Sequence, residues 1–198
     1  MNLMARRRAL MAARGGGGTQ ENFLRVGNPV IENGILKSTN TDGDYITTIA
    51  DFDPQRTPWE IVFKLYRPSN YGFETVLQSA GITLQSPWNG NGFKLFLYGD
   101  DTTITGGQTQ RECPSGESRW LKLCYSGSRY DYGVSADGST YTYVSGNTTP
   151  FTGYDGIGNG TIPIKAGKIA FGKKTLAEID LTETIIKVNG SVWWKPYI

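Results

Sequence analysis

Between Trp59 and Leu65 every second residue is large and apolar. Trp59, Ile61, Phe63 and Leu65 fall on one side of an extended chain, while Glu60 and Lys64 fall on the other. A period of two fits a strand with one dry face and one wet face, and it does not fit a helix. Phe93, Leu95 and Leu97 repeat the pattern, as do Tyr130, Tyr132 and Val134. Strand-like stretches run from Gly34 onward, over 35–38, 45–52, 59–67, 74–79, 82–85, 93–98 and 102–105. They continue over 119–125, 130–136, 140–145, 162–164, 168–172, 178–181, 185–188 and 192–194, separated by Gly, Asn, Asp and Pro. No helical stripe of ten residues follows residue 18. Many short strands with frequent turn signals predict an all-β fold, a two-sheet antiparallel sandwich. Ala136-Asp137-Gly138-Ser139 is expected to close a tight hairpin in which both central residues take positive φ. Asn189-Gly190 is expected to close another, and Tyr125-Ser126-Gly127-Ser128 a third.

A chain of 198 residues fits one domain of this class. With 26 glycines, 11 tyrosines and only 19% charged residues, it has a turn-rich β profile rather than a disordered one. No apolar run approaches the ~20 residues of a spanning helix, so membrane insertion is not expected. The boundaries read as 1–18 for a basic arm with a glycine linker and 19–198 for the sandwich.

The formal charge of +2 is unevenly placed. Arg6, Arg7, Arg8 and Arg14 give residues 1–14 a charge of +4 with no acid, which leaves sixteen bases against eighteen acids on the remainder. On that balance the body presents no broad basic face, and specific nucleic-acid binding is not expected. The arm is built of helix formers and is cut off by Gly15 to Gly18. Its apolar stretch, Ala9 to Ala13, is shorter than the ~7–15 residues of a secretory signal and is closed by Arg14. The expectation is a protein made in the host cytoplasm without a secretion signal. The arm itself reads either as a frayed end or as a docking segment that orders on a partner.

Histidine is absent. That removes the Ser-His-Asp triad, the Cys-His nucleophile pair and His-ligated zinc. Cys113 and Cys124 are too few for a disulfide framework. Cys124, in the apolar stretch Leu121 to Tyr125, reads as a small core residue, and sequence leaves the redox state of the pair open.

Two stretches carry a resemblance. Trp120-Leu-Lys-Leu … Tyr130-Asp-Tyr-Gly-Val-Ser135-Ala-Asp137-Gly138-Ser-Thr-Tyr141 resembles the central hairpins of concanavalin A-like and laminin-G-like domains. Gly167-Lys-Ile-Ala-Phe-Gly172 followed by Glu178-Ile-Asp-Leu and the hairpin through Asn189-Gly190 into Trp193-Trp194 is similar to the closing strands of small laminin-G-like proteins of bacteriophages and prophages. The opening Met4-Ala-Arg-Arg-Arg-Ala-Leu-Met11 resembles the start of such phage proteins. The resemblance covers roughly residues 34–195 and implies a concanavalin A-like jelly roll and a virion location. It also implies a homo-oligomer that meets other virion proteins through its arm. For function it is much less specific, because one such sandwich hosts lectins, hydrolases and adhesion modules.

Glu178-Ile-Asp180-Leu-Thr-Glu183 matches the E-x-D-x-x-E pattern of laminarinase-type glycoside hydrolases, which share this fold. Retaining glycosidases hold two carboxyl groups about 5–5.5 Å apart, one as nucleophile and one as acid/base. On a regular strand Glu178 and Asp180 share a face and Glu183 points the other way, so a β-glucan hydrolase would need a bulge at Thr182. The other reading of these acids is a charged edge that discourages strand pairing.

Tyr71, Trp88 and Tyr154 stand in turn-rich segments beside Asn89, Asn91 and Asp155. Loop rings next to amides and carboxylates suit sugars, since the ring stacks on the apolar face and the polar groups bond the hydroxyls. The alternative is that each ring caps the end of the sandwich. Asp42, Asp44, Asp100, Asp101 and Asp155 are the oxygen ligands that calcium takes, but their spacing forms no contiguous calcium loop. Neither metal nor cofactor is expected. The favoured function is a non-enzymatic phage virion protein that displays a glycan- or host-surface-binding sandwich. The β-glucan hydrolase of Glu178 and Glu183 and a ligand-free capsid decoration protein are its alternatives.

Overall fold

The computed structural model describes residues 21–37, 39, 43–53, 57–69, 74–79, 82–86, 93–98, 103–105, 113–127, 130–143 and 166–198. These hold strands β1 to β15, numbered in chain order, in two antiparallel sheets. The first sheet runs β1 (Phe23–Val26), β4 (Tyr45–Thr48), β13 (Ala170–Lys174), β6 (Glu74–Gln78), β7 (Ile82–Ser86), β8 (Lys94–Tyr98) and β9 (Thr103–Thr105). The second runs β12 (Thr142–Tyr143), β11 (Tyr130–Ser135), β10 (Glu117–Tyr125), β5 (Trp59–Arg67), β14 (Glu178–Val188), β3 (Ile35–Lys37) and β2 (Val30–Glu32). The last strand, β15 (Ser191–Trp194), pairs with β14 beyond β3.

The alternation of β5 sets the core. Trp59, Ile61, Phe63 and Leu65 are buried, and across the ladders they meet Leu121 and Leu123 of β10 and Ile179 and Ile186 of β14. The first sheet answers with Ile46, Leu77, Leu84 and Phe171. Phe171 bridges the layers, edge-on to Phe63 at 5.7 Å and stacked on Trp194 at 5.6 Å. Each such side chain contributes roughly 1.5–3 kcal/mol by leaving water.

Several sequence expectations change. Strands begin before Gly34: β1 and β2 precede it, and Asn33 (φ 51°) and Gly34 (φ 80°) form a two-residue turn between the paired Glu32 and Ile35. Asn189 (φ 50°) and Gly190 (φ 75°) make the same turn between Val188 and Ser191, as expected. The Asp137-Gly138 turn is wider than a two-residue hairpin. Pairing resumes only at Val134 with Thr142, and of the two central residues only Gly138 (φ 76°) is left-handed. The Asp137 carboxylate organises this loop instead, accepting from the backbone N–H groups of Thr140 (2.8 Å) and Ser139 (2.9 Å) and from the Ser135 hydroxyl (2.8 Å). Those bonds hold its carboxyl well below the usual carboxylate range.

The stretches 178–181 and 185–188 are one strand, joined through an irregular segment. The stretch 45–52 stops as a strand at Thr48, whose Oγ1 donates to the Ala50 carbonyl and accepts from the Ile169 amide. Cys124 is not a core residue. It alternates with the buried Leu123 and Tyr125, pairs across the ladder with Glu60, and stands half-buried on the outer face. Cys113 is the buried cysteine, and both are free thiols. The stretch 162–164 lies outside the described residues. No helix among the described residues is long and apolar enough to cross a membrane.

Candidate functional site

The outer face of the first sheet carries an open groove of about 420 Å³. Its floor follows from the pairing register. Leu24, Thr47, Ala170 and Gln78 stand opposite one another across β1, β4, β13 and β6, so one row of side chains crosses four strands. The two central members, Thr47 and Ala170, are short, and they leave a trough between Leu24 on the edge strand and Gln78. Tyr45 lies two residues along β4 on the same face. Lys168 lies two residues before Ala170, and it also lines the groove.

A bulge supplies the second lysine. Simple alternation from Ala170 would turn Lys173 toward the core. Gly172 has φ 76°, and a Cβ there would lie 2.9 Å from Leu36 Cδ2, so positions 171 and 172 both face inward. The register of β13 against β6 shifts over this segment, and the extra residue returns Lys173 to the outer face. There its Nζ donates to Gln78 Oε1 at 2.6 Å. No carboxylate lines this groove among the described residues.

A second groove, about 330 Å³, opens on the outer face of the second sheet beside Trp59, Tyr125 and Cys124. At its centre Glu60 ion-pairs with Lys122 at 2.6 Å and Lys187 at 2.7 Å. Burial pushes the Glu60 carboxyl up, but the two lysine hydrogen bonds outweigh it and the net shift is downward. Burial pushes the Cys124 thiol up to about 11, so it is protonated at neutral pH and is not an activated nucleophile.

Glu178 and Asp180 share the outer face of β14, as alternation requires. Glu178 is ion-paired with Lys37 at 2.8 Å, and Asp180 accepts from the Thr182 amide at 3.0 Å and from the Thr182 hydroxyl. The bulge that the hydrolase pattern needs is present but larger than one residue. Four residues, 181–184, oppose the single Phe63 between the pairs Asp180–Lys64 and Ile185–Val62. Leu181 and Thr184 turn inward, while Thr182 and Glu183 are exposed. None of the three acids lines either groove.

Sequence reasoning missed a buried ion pair. Arg67 and Glu74, with side chains 1% and 0% exposed, meet at 2.9 Å where β5 of the second sheet hands over to β6 of the first. Arg67 also donates to the Cys113 carbonyl at 3.3 Å and lies over the Phe93 ring, and Glu74 accepts from the Thr175 hydroxyl and the Leu176 amide. The signal was available: Arg67 continues the inward series Trp59, Ile61, Phe63, Leu65.

A second missed cluster holds Asn22. The Asn22 side chain donates to the Lys195 carbonyl at 2.7 Å and accepts from the Tyr197 amide at 2.9 Å, while its own carbonyl accepts from the Trp194 indole. The chain that follows the arm is therefore fastened to the C-terminal segment.

Tyr71, Trp88, Asn89, Asn91, Tyr154, Asp155 and the arm residues Arg6, Arg7, Arg8 and Arg14 lie outside the described residues. Their flanking strands are described. Glu74, where β6 begins, pairs with Ser86, where β7 ends, so the connections that hold Tyr71 and Trp88 leave from adjacent positions. The connection that holds Tyr154 and Asp155 returns toward Ala170, which pairs with Gln78 at the opposite end of β6. Of the five candidate calcium ligands only Asp44 is described. Its carboxylate is engaged by the Asn28 amide and the Thr39 hydroxyl. No three His, Cys, Asp or Glu side chains converge as a metal site among the described residues.

The sequence matches no protein-family model and no curated protein. Solved structures do share its architecture. The exoplasmic/lumenal domain of VIP36, in a Ca2+- and mannose-bound form, superposes with a TM-score of 0.53 at 8% identity, over 89% of each chain. A botulinum neurotoxin type C structure, from work on cell entry through two ganglioside molecules, superposes at 0.52 and 11% identity over 85% of this chain. The chain spans only 43% of that neurotoxin chain. Mouse laminin α1 domains LG4-5 follow at 0.48 and 13% identity, over 87% of this chain and 46% of that one. With its two antiparallel sheets and the first two of these counterparts, the chain is a jelly-roll sandwich of the concanavalin A-like kind.

Proposed function

We propose that the protein is a non-enzymatic carbohydrate-recognition module, displayed on a phage virion in several copies and docked there by residues 1–18. The observation that carries the recognition reading is the groove on the first sheet. It is an open trough with a short-residue floor, a tyrosine, hydroxyls, an amide and ammonium groups, which is the mixture of apolar and hydrogen-bonding surface that a sugar requires. VIP36, solved with mannose, supports the reading at the level of architecture. Tyr71, Trp88, Asn89 and Asn91 would add rings and amides to that recognition. The non-enzymatic part is supported by the acids of β14, since Glu178 is bound to Lys37 and Glu183 stands on an exposed bulge. The docking part is supported by the +4 arm, its glycine linker and the fastening of Asn22.

One experiment tests all three. The full chain and a chain lacking residues 1–18 are compared on a glycan array, for turnover of laminarin and lichenan, and for co-sedimentation with particles. Both chains should retain the same glycans and turn over neither polysaccharide, Tyr45→Ala should weaken retention about tenfold or more, and only the full chain should sediment. Turnover abolished by Glu178→Gln would establish the hydrolase instead. An array without any retained saccharide would remove the recognition reading.

A further inference from the structure

We infer that the first-sheet groove selects an anionic saccharide, with Lys168 and Lys173 meeting negative groups on either side of its floor. The inference rests on the carbohydrate reading of that groove. It starts from charge. Lys173 ends on a neutral amide, Gln78, and Lys168 has no acidic partner among the described residues. No Asp or Glu lines the trough among the described residues, so two ammonium groups face one open volume with no described carboxylate beside them. The body outside residues 1–14 carries more acids than bases, so this concentration of positive charge is local.

The placement is equally specific. Lys168 precedes the floor residue Ala170 by two residues, roughly 6–7 Å along an extended chain. Lys173 follows Ala170 on the other side, and it reaches the outer face only through the bulge at Gly172. The two charges therefore flank the short residues Thr47 and Ala170 rather than standing side by side. A sugar ring on the floor, with carboxylates or sulfates on either side, would place an anion at each lysine. Lysine suits this role as a compact charge with three rotatable donors, which imposes no planar fork on its partner.

The test uses the full chain and three matched pairs of probes, with binding measured by calorimetry at low ionic strength. The pairs are trigalacturonate and its methyl ester, sialyllactose and lactose, and a sulfated trisaccharide with its unsulfated parent. In at least one pair the charged member should bind about tenfold tighter, a factor of roughly 1.4 kcal/mol, and salt should shrink that advantage. The double variant Lys168→Ala/Lys173→Ala should erase the advantage, lowering the affinity for the charged member far more than that for the neutral one, while leaving the melting temperature unchanged. The pair that responds separates a carboxylate from a sulfate source. If both members of every pair bind alike, and Tyr45→Ala weakens both, carbohydrate recognition stands and the charge inference is overturned. Charged-probe binding that survives the double variant also overturns it, as does displacement by inorganic sulfate at equal concentration. If no saccharide binds, the carbohydrate reading fails and this inference fails with it.

Discussion

The two outer faces of the sandwich treat their lysines differently. On the second sheet Lys37 ends on Glu178, Lys122 and Lys187 both end on Glu60, and Lys64 lies 4.5 Å over the Trp120 ring, its neighbour across the ladder. These are contacts between adjacent strands, the unit by which a sheet stabilises itself. On the first sheet Lys173 meets only an amide, and Lys168 meets no acid among the described residues. The field of the second face is largely neutralised within the sheet. That of the first face is left open above a trough. Charge that does not serve the sheet is available to a ligand.

The largest expected effect comes from breaking the pair that lies between the two faces. Arg67→Met leaves the Glu74 carboxylate buried without its cation, and should cost about 3–5 kcal/mol in urea unfolding. Arg67→Met/Glu74→Met removes both charges and should recover much of that loss. A single variant within 1 kcal/mol of wild type would show that the pair does not fasten the sheets. The exposed pairs of the second face should cost far less, which is the contrast between a desolvated ion pair and a screened one.

A glycine on each sheet sharpens the comparison further. Gly172 and Gly190 have nearly the same φ, 76° and 75°. A Cβ at Gly190 meets nothing within 4 Å, whereas one at Gly172 comes within 2.9 Å of Leu36 in the core. Both alanine variants bear a left-handed backbone cost of ~1–3 kcal/mol, and Gly172→Ala adds the collision. Thermal unfolding should therefore rank Gly172→Ala below Gly190→Ala. Only the former should also weaken saccharide binding, because it disturbs the bulge that presents Lys173. Equal destabilisation would mean that Leu36 yields freely.

These residues show how far the sequence could be read. Strict alternation in β5 displayed its own core face, and the same phase extended to Arg67 announces a buried cation in need of an acid. The two Asn-Gly turns are local, because φ > 0 at both central positions is a property of the dipeptide; Asn33-Gly34 carries the same signal as Asn189-Gly190. An apolar stretch taken as a block puts Cys124 in the core, whereas its period of two sets Cys124 opposite to Leu123 and Tyr125. The bulge of β13 was harder. Gly172 hints at one, but its direction depends on Leu36, more than a hundred residues away. The groove was out of reach altogether, since its floor is assembled from Leu24, Thr47, Ala170 and Gln78, and only the strand order makes them neighbours.

The smallest expected effect distinguishes the faces by pH. Glu60 has a folded-state pKa below its ordinary 4.5, because Lys122 and Lys187 together outweigh the burial that raises it. A group depressed on folding stabilises the protein above its unfolded pKa and loses that contribution as pH falls through the lower folded value. The stability that Glu60 supplies is thus complete above about pH 5 and disappears below about pH 4.5, in the region set by the direction of its shift. Glu60→Gln should lower stability at pH 7 by about 1 kcal/mol or less, because the pairs are partly exposed. It should also flatten the wild-type decline below about pH 5. Lys168→Ala/Lys173→Ala should leave the same decline intact, since no carboxylate among the groove's described residues depends on those ammonium groups. Chemical denaturation across that pH range reads both variants. If Glu60→Gln declines in acid as steeply as wild type, the neutralisation of the second face contributes nothing to folding. The difference between the faces would then be one of surface potential alone.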